Sequence, residues 1–394
     1  MSATVLLILV AALMACIISG LSLYPVRRFA RQLGLLDRPG GHSSHTIPTP
    51  LGGGIGIYLG ITLTVLCGLA AAWLLQSLGQ QEDGLAEFQA KWASWIPSRW
   101  FDLAAFHAPG VWSRAGDILW LLAGGTILLV LGLWDDRYGL SVTVRLGCQF
   151  AIAAAVVFGL GIELTAYMNV GWLTKGLSIF WIVAVINSFN MLDNMDALSG
   201  GIAAIIAASM AGVMMTTPDP GTDHPQLLVA ALLLVVCGSL LGFLFHNRPP
   251  ASIFMGDGGS YLVGFLIAVA TLMATFVGGP TSDGSLRPHA VLAPLCAMAV
   301  PLYDMTTVLW IRIREGRSPF LGDNSHLSHR LVALGLSRPR AVATVHLITA
   351  TCGLSALLLT HVSMLQALTV LGIVACMLLL VAILESTHWK DPKS

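Results

Sequence analysis

The chain has 394 residues, of which 56% are hydrophobic and 10% charged, with a formal net charge of zero and a mean hydropathy of +0.80. Soluble domains carry roughly 25% charged residues, so an ordinary soluble enzyme is excluded, and the balanced charge gives no support to nucleic acid as a partner. The seven cysteines, Cys16, Cys67, Cys148, Cys237, Cys296, Cys352 and Cys376, lie in apolar runs without CxxC spacing and read as small buried hydrophobes rather than disulfide partners or zinc ligands.

Apolar runs close to the length a bilayer core demands recur along the chain. They predict eleven spans, at 3–23, 51–76, 118–134, 146–162, 176–192, 197–217, 227–246, 259–278, 290–311, 341–360 and 363–384. Leu13-Met14-Ala15-Cys16 resembles a lipoprotein cleavage site, but Arg27, Arg28 and Arg31 follow the first run and no Lys or Arg precedes it. A secretory signal has the opposite arrangement, so the run reads as a retained helix. The long segment 77–117 carries Trp92, Trp95, Trp100 and Trp112 and reads as an interfacial anchor. The break at 190–198 is polar and must line a cavity rather than face lipid. No internal repeat favours a repeat-built transporter.

With the amino terminus outside, the inner segments hold 15 Lys and Arg and the outer ones 5. That excess marks the cytoplasmic face. The expectation is therefore an all-α, polytopic membrane protein, one integral-membrane domain over 1–394, with a cytoplasmic carboxyl terminus.

Unusual polar residues collect on that face. Asp135-Asp136-Arg137 ends the third span, and Asn187, Asn190, Asp193 and Asp196 end the fifth. Asn247 and Met255-Gly256-Asp257-Gly258-Gly259-Ser260 fall between the seventh and eighth. Asp304 lies near the inner end of the ninth, followed by His326, His329 and Arg330. If the segment is helical, Asn190, Asp193 and Asp196 lie within about a third of its circumference. Acidic residues at a helix carboxyl end oppose the macrodipole, which argues against a purely structural Asp135-Asp136. Two histidines without a nearby cysteine fall short of a zinc site. Asp304, ionisable within a span, is either functional or explained by a buried hydrogen bond or by pairing with Arg312 or Arg314. Arg27, Arg28 and Arg31 read as topology determinants touching anionic lipid.

Five motifs occur in order. They are His45-Thr46-Ile47-Pro48-Thr49-Pro50 with Gly52-Gly53-Gly54; Trp134-Asp135-Asp136-Arg137; Asn187-Ser188-Phe189-Asn190-Met191-Leu192-Asp193; Ile253-Phe254-Met255-Gly256-Asp257; and Asp323-Asn324-Ser325-His326-Leu327-Ser328-His329-Arg330. Together they resemble the polyprenyl-phosphate N-acetylhexosamine-1-phosphate transferases of glycosyltransferase family 4 type, bacterial membrane enzymes that start cell-envelope glycans. The resemblance implies transfer of a HexNAc-1-phosphate, in the first instance GlcNAc-1-phosphate, from a UDP-sugar to undecaprenyl phosphate with release of UMP. It places the reaction on the cytoplasmic face of the inner membrane, among membrane lipids, with a homodimer as an allowed assembly. The segments 24–50, 135–145, 190–198, 247–258 and 312–340 would carry the site.

Two anions of charge near −2 must meet in such a reaction. At 4 Å and an effective dielectric of about 20, each unit pair costs about 4 kcal/mol, so the repulsion is of order 16 kcal/mol. A divalent cation answers this, since Mg²⁺ is held by a carboxylate or two plus substrate phosphates and water; Mn²⁺ would serve similarly. By resemblance Asp257 is a metal ligand, with Asn190 or Asp193 beside it. The ordinary alternatives are a turn residue between glycines for Asp257 and helix capping for Asn190 and Asp193. Asp135 and Asp136, with Asp193, are the catalytic candidates, the first two as base or as metal support. Phe254 matches the position that stacks the uracil ring and Asp196 the one that bonds its edge; membrane-interface packing is the alternative for Phe254. His45, His326, His329 and Arg330 match phosphate and sugar contacts.

Three positions depart from the resemblance. Asp193-Asn194-Met195-Asp196-Ala197 stands where relatives often read Asp-Gly-Leu-Asp-Gly, Leu51 stands where many carry Arg, and Ser328 replaces a frequent His. The run of three histidines of the peptidoglycan enzyme is missing. A transporter of sugar or polyprenyl phosphate and a non-catalytic relative are the rival readings.

Overall fold

The computed structural model describes residues 3–37, 48–81, 83–164, 170–219, 224–274, 288–320 and 325–386. Among these, ten helices are long and apolar enough to cross a membrane, and eleven if one bent pair counts as a single span. The elements in order are α1 (Ala3–Phe29), α2 (Gly53–Gly79), α3 (Gly84–Trp92), α4 (Ser98–Ser113), α5 (Ala115–Tyr138), α6 (Val142–Leu160), α7 (Gly171–Leu192) and α8 (Leu198–Thr216). There follow α9 (Leu227–Asn247), α10 (Gly256–Met273), a 3₁₀ turn at Pro288–Leu292, α11 (Ala293–Ala297), α12 (Ala299–Arg314), α13 (Leu327–Ala333), α14 (Arg338–Leu359) and α15 (Met364–Ser386). Each predicted span has its helix or helix pair.

The bent pair replaces the ninth predicted span: Pro288–Ala297 and Ala299–Arg314 meet at 65°. Pro301 has no N–H to return to the Ala297 carbonyl and its ring crowds that carbonyl, which breaks the helix one turn earlier, at Met298. Segment 77–117 is not a loop but largely α3 and α4. Phe101 and Ala108 of α4 are buried where it packs on α2. Trp95 and Phe106, 81% and 78% exposed, face outward, an arrangement compatible with interfacial anchoring. The cysteines are all free, but Cys67 and Cys376 lie on the exterior, contrary to the buried reading.

The centre of the bundle is α10, enclosed by α5, α7 and α2. Its amino-terminal glycines make this enclosure close. A methyl group on Gly132 would collide with the Gly258 backbone, and one on Gly54 with Gly259, so α5 and α2 approach α10 backbone to backbone, as small residues permit in membranes. At the same end, β1 (Leu36–Asp37) pairs antiparallel with β2 (Thr49–Pro50). The chain before α10 docks on this pair: Phe254 N–H donates to the Pro50 carbonyl at 2.9 Å and Gly53 N–H to the Phe254 carbonyl at 2.8 Å. In contrast, α1 and α15 are largely exposed, as lipid-facing helices are.

Candidate active site

The ends of α5 and α7 and the start of α10 meet at one point. Asp257, expected in a loop, lies in the first turn of α10. Asp135 and Asp136 lie in the last turn of α5, Asn190 in the last turn of α7, and Asp193 caps it. Because α7 stops at Leu192, the expectation that Asn190, Asp193 and Asp196 share one helical face does not hold. The turn separates them.

Asp135 and Asp136 diverge. Asp135 is buried and accepts three hydrogen bonds: Leu140 N–H at 2.7 Å on Oδ1, and Arg145 Nη1 and the Tyr261 hydroxyl, each at 3.0 Å, on Oδ2. Asp136 reaches the opening of α10, where Oδ1 accepts from Asp257 N–H at 2.9 Å and Oδ2 from Gly258 N–H at 3.4 Å. These are orphan amides of a helix amino terminus, where a carboxylate is favoured. The macrodipole of α5 opposes Asp136, but that of α10 welcomes it. Its partners favour support of Asp257 over a free base.

Asn190 Nδ2 donates to Asp257 Oδ1 at 2.7 Å and to Ser260 Oγ at 3.2 Å. Tyr261 Oη is 3.5 Å and Arg145 Nη1 3.8 Å from Asp257 Oδ2. One hydroxyl and one guanidinium thus bridge Asp135 and Asp257. Burial, and then the Asp257 carboxylate, push Asp193 up to about 7; the Gly256 amide pulls it back and Asp196 adds to the rise. A nearby cation would reverse this crowding. Among the described residues, however, no three His, Cys, Asp or Glu side chains converge tightly enough to cage a metal alone.

Two polar side chains tie the turn after α7 to the segment before α10. Asn247 Oδ1 accepts from Ala197 N–H and its Nδ2 donates to the Ile253 carbonyl, both at 2.8 Å. Asp196 Oδ2 accepts from Ala251 N–H at 2.9 Å. Asp196 therefore positions backbone with one oxygen, and Phe254 is half-buried beside this clasp.

The histidine segment reaches the same turn through Ser328, whose hydroxyl donates to Asn194 Oδ1 at 2.6 Å. His326 precedes α13 and His329 lies within it, ring centroids 6.5 Å apart. His326 Nδ1 donates to Asp304 Oδ2 at 2.8 Å, so Asp304 pairs here and not with Arg312 or Arg314. Arg330, expected at the nucleotide, is 9% exposed and lies 3.2 Å from Glu385 Oε2 and 3.8 Å from Asp304 Oδ1. It faces a buried ion network instead. His45 lies outside the described residues.

Arg145 and Tyr261 escaped sequence reasoning. Arg145 counted only toward topology, yet it follows Asp135 across a short turn. Tyr261 stands one turn after Asp257, and that i,i+4 spacing was the available signal.

Comparison with known proteins fits this geometry. The profile of glycosyl transferase family 4 matches residues 118–275, which include Asp135, Asn190 and Asp257. The decaprenyl-phosphate N-acetylglucosaminephosphotransferase of Mycobacterium tuberculosis (strain ATCC 25618 / H37Rv) is 30% identical over 353 residues, 85% of this chain and 78% of the relative. The chain belongs to this family. The probable undecaprenyl-phosphate N-acetylglucosaminyl 1-phosphate transferase of Bacillus subtilis (strain 168) is 28% identical over 364 residues, 91% of this chain and 86% of that protein. The undecaprenyl-phosphate alpha-N-acetylglucosaminyl 1-phosphate transferase of Escherichia coli (strain K12) is 28% identical over 338 residues, 84% and 78% of the two chains. In this chain the acidic cluster lies within the matched region and the histidine segment lies beyond it.

Proposed function

We propose that this chain transfers GlcNAc-1-phosphate from UDP-GlcNAc to undecaprenyl phosphate or a close polyprenyl relative, releasing UMP and starting a cell-envelope glycan. The observation that carries the reading is the meeting of Asp135, Asp136, Asn190, Asp193 and Asp257, from three stretches of chain, at one end of an apolar bundle. An oxygen of the lipid phosphate attacks the sugar-bearing phosphorus. A new P–O–P linkage forms, the old one breaks, and UMP departs with the electron pair. The names of the relatives support the same substrates.

The reaction face is the cytoplasmic side of the plasma membrane, on the strength of the Lys and Arg excess there. A midplane transporter site is disfavoured because the polar side chains gather at helix ends.

The all-oxygen donor set suits a hard divalent cation, Mg²⁺ or Mn²⁺. Asp257, with Asn190 or Asp193 beside it, would hold the ion; the Asn190 amide, nearly symmetric in shape, offers an oxygen when turned over. The small number of converging carboxylates matches the habit of Mg²⁺ of drawing remaining ligands from phosphates and water. When bound, the cation supplies neutralisation of the opposed phosphates. Asp135 and Asp136, through Arg145, Tyr261 and the α10 amides, hold Asp257 in place, while His326, just before α13, and His329 within it would contact phosphate or sugar.

Purified protein in lipid nanodiscs, given labelled UDP-GlcNAc and undecaprenyl phosphate, should form labelled lipid diphosphate and UMP, and EDTA should stop it. Product that survives chelation removes the metal; no product with any of UDP-GlcNAc, UDP-GalNAc or 6-deoxy amino sugars removes the function.

A further inference from the structure

A second group of charges is buried away from the aspartate cluster. Asp304 of α12 is fully buried, and His326, Arg330 and Glu385 are each less than 10% exposed. Besides His326 Nδ1, Asp304 accepts the Leu327 N–H on Oδ1 at 2.6 Å. Arg330 Nη2 donates to Thr307 Oγ1 at 3.1 Å. The Tyr303 hydroxyl donates to Glu385 Oε2 at 3.1 Å, the oxygen that faces Arg330. Tyr303, Asp304 and Thr307 lie within about one turn of α12, so one side of that helix receives both α13 and the end of α15.

Glu385 is an unexpected residue in this helix. Apart from Gln366, Thr369 and Ser386, the rest of α15 is apolar and largely exposed, and packing against lipid needs no carboxylate. A buried ionisable group at the end of a membrane-spanning helix is a functional candidate by default. The partner of Glu385, Arg330, is one residue from His329 and two from Ser328, which grips Asn194 beside Asp193. A continuous path therefore runs from the last turn of α15 through Arg330 and α13 to the turn that carries Asp193. Asp304, by accepting from Nδ1, also selects the tautomer of His326 and leaves Nε2 as the nitrogen available for other bonds.

We infer that Glu385 is a positioning residue for the sugar-nucleotide end of the site: its carboxylate fixes Arg330, and with Asp304 it sets the seat of α13 and hence of His326 and His329. Glu385 touches no reacting atom, and α15 becomes part of the machinery rather than a lipid-facing appendage. The inference rests on the transferase reading for its kinetic arm only.

The test uses full-length protein in nanodiscs. Glu385→Gln keeps the shape and drops the charge; Glu385→Asp keeps the charge; Tyr303→Phe removes one donor to the carboxylate and spares the fold. Glu385→Gln should raise KM for UDP-GlcNAc at least fivefold while KM for undecaprenyl phosphate stays within twofold, with Tyr303→Phe shifting in the same direction and Glu385→Asp recovering most of the loss. Hydrogen exchange of the amides of 327–333 should quicken in Glu385→Gln while those of α14 do not, a readout that needs no turnover. Absence of UMP release from the parent protein strikes the transferase reading and leaves the exchange arm to decide this one. Equal loss toward both substrates, unchanged KM values, or unchanged exchange in α13 overturns the inference; if Glu385→Gln does not fold, Tyr303→Phe decides by the same criteria.

Discussion

Asp136→Asn separates two roles that the sequence leaves open. The substitution keeps an acceptor for Asp257 N–H at 2.9 Å but turns an amide donor toward Gly258 N–H at 3.4 Å or forfeits that bond. Hydrogen bonds to a charged group contribute about 1.5–3 kcal/mol, and the longer one lies at the weak end. Loss of the charge at the α10 amino terminus adds about 0.3–1 kcal/mol, rising toward about 2 in partly buried sites. A total of about 2–3 kcal/mol is expected, concentrated on the turn that carries Asp257. At about 1.4 kcal/mol per tenfold, the full amount felt at the transition state lowers kcat by roughly 30- to 150-fold. Thermal unfolding in nanodiscs and UMP release at saturating substrates measure the two consequences together. A cap loses both, and divalent-ion affinity weakens with them. A large fall in kcat with unfolding temperature and metal affinity unchanged would refute the capping argument and return Asp136 to the role of base.

Asp257→Asn should abolish turnover while the protein still folds, because Asn retains the Asn190 and Tyr261 neighbours but removes the charge; near-normal UMP release would undo the metal assignment. Ala197 holds a left-handed φ of 61°, which costs an L-residue about 1–2 kcal/mol against about 0.5–1 kcal/mol of backbone entropy that glycine would lose. Ala197→Gly should therefore stabilise by roughly 0.5–1 kcal/mol, read as a higher unfolding midpoint, and a lower one contradicts the strain. A double-mutant cycle with Asn194→Ala and Ser328→Ala should give a coupling of about 0.5–1.5 kcal/mol in stability, and strict additivity would show the bond to be idle.

Hydropathy made the spans readable because lipid imposes the same demand on every one of them. What it could not supply were contacts between spans. The sequence sets Asp136 only against the dipole of its own helix, while the helix whose amides it caps, α10, begins more than a hundred residues on. Arg145 looked like a topology charge because nothing local shows that it turns back to Asp135. For Asp304 the buried hydrogen bond is the expectation that holds, but its partners His326 and Leu327 lie beyond the arginines near it in sequence, after a further turn of chain. The helices α3 and α4 were missed for another reason: with Lys91, Arg99 and Asp102 among tryptophans and phenylalanines, they are too polar to register as spans and too short to dominate a window.

The departures from the family pattern make physical sense together. Asn194 and Ser328, two of the positions that depart from the resemblance, bond to each other at 2.6 Å. Asn194 also donates to the Met191 carbonyl at 3.1 Å, so one amide closes the end of α7 and receives α13. A glycine at 194 could hold neither group, and the larger imidazole at 328 would have to displace the amide or lie elsewhere. Ala197 adopts a positive φ, held by Asn247 on its N–H and by His346 Nε2, 3.2 Å from its carbonyl. The turn between α7 and α8 is thus braced by side-chain ties. Asp193 lies inside that braced turn, and the bracing carries the seat of the histidine segment with it. This braced corner adjoins the point where Asp135, Asn190 and Asp257 meet.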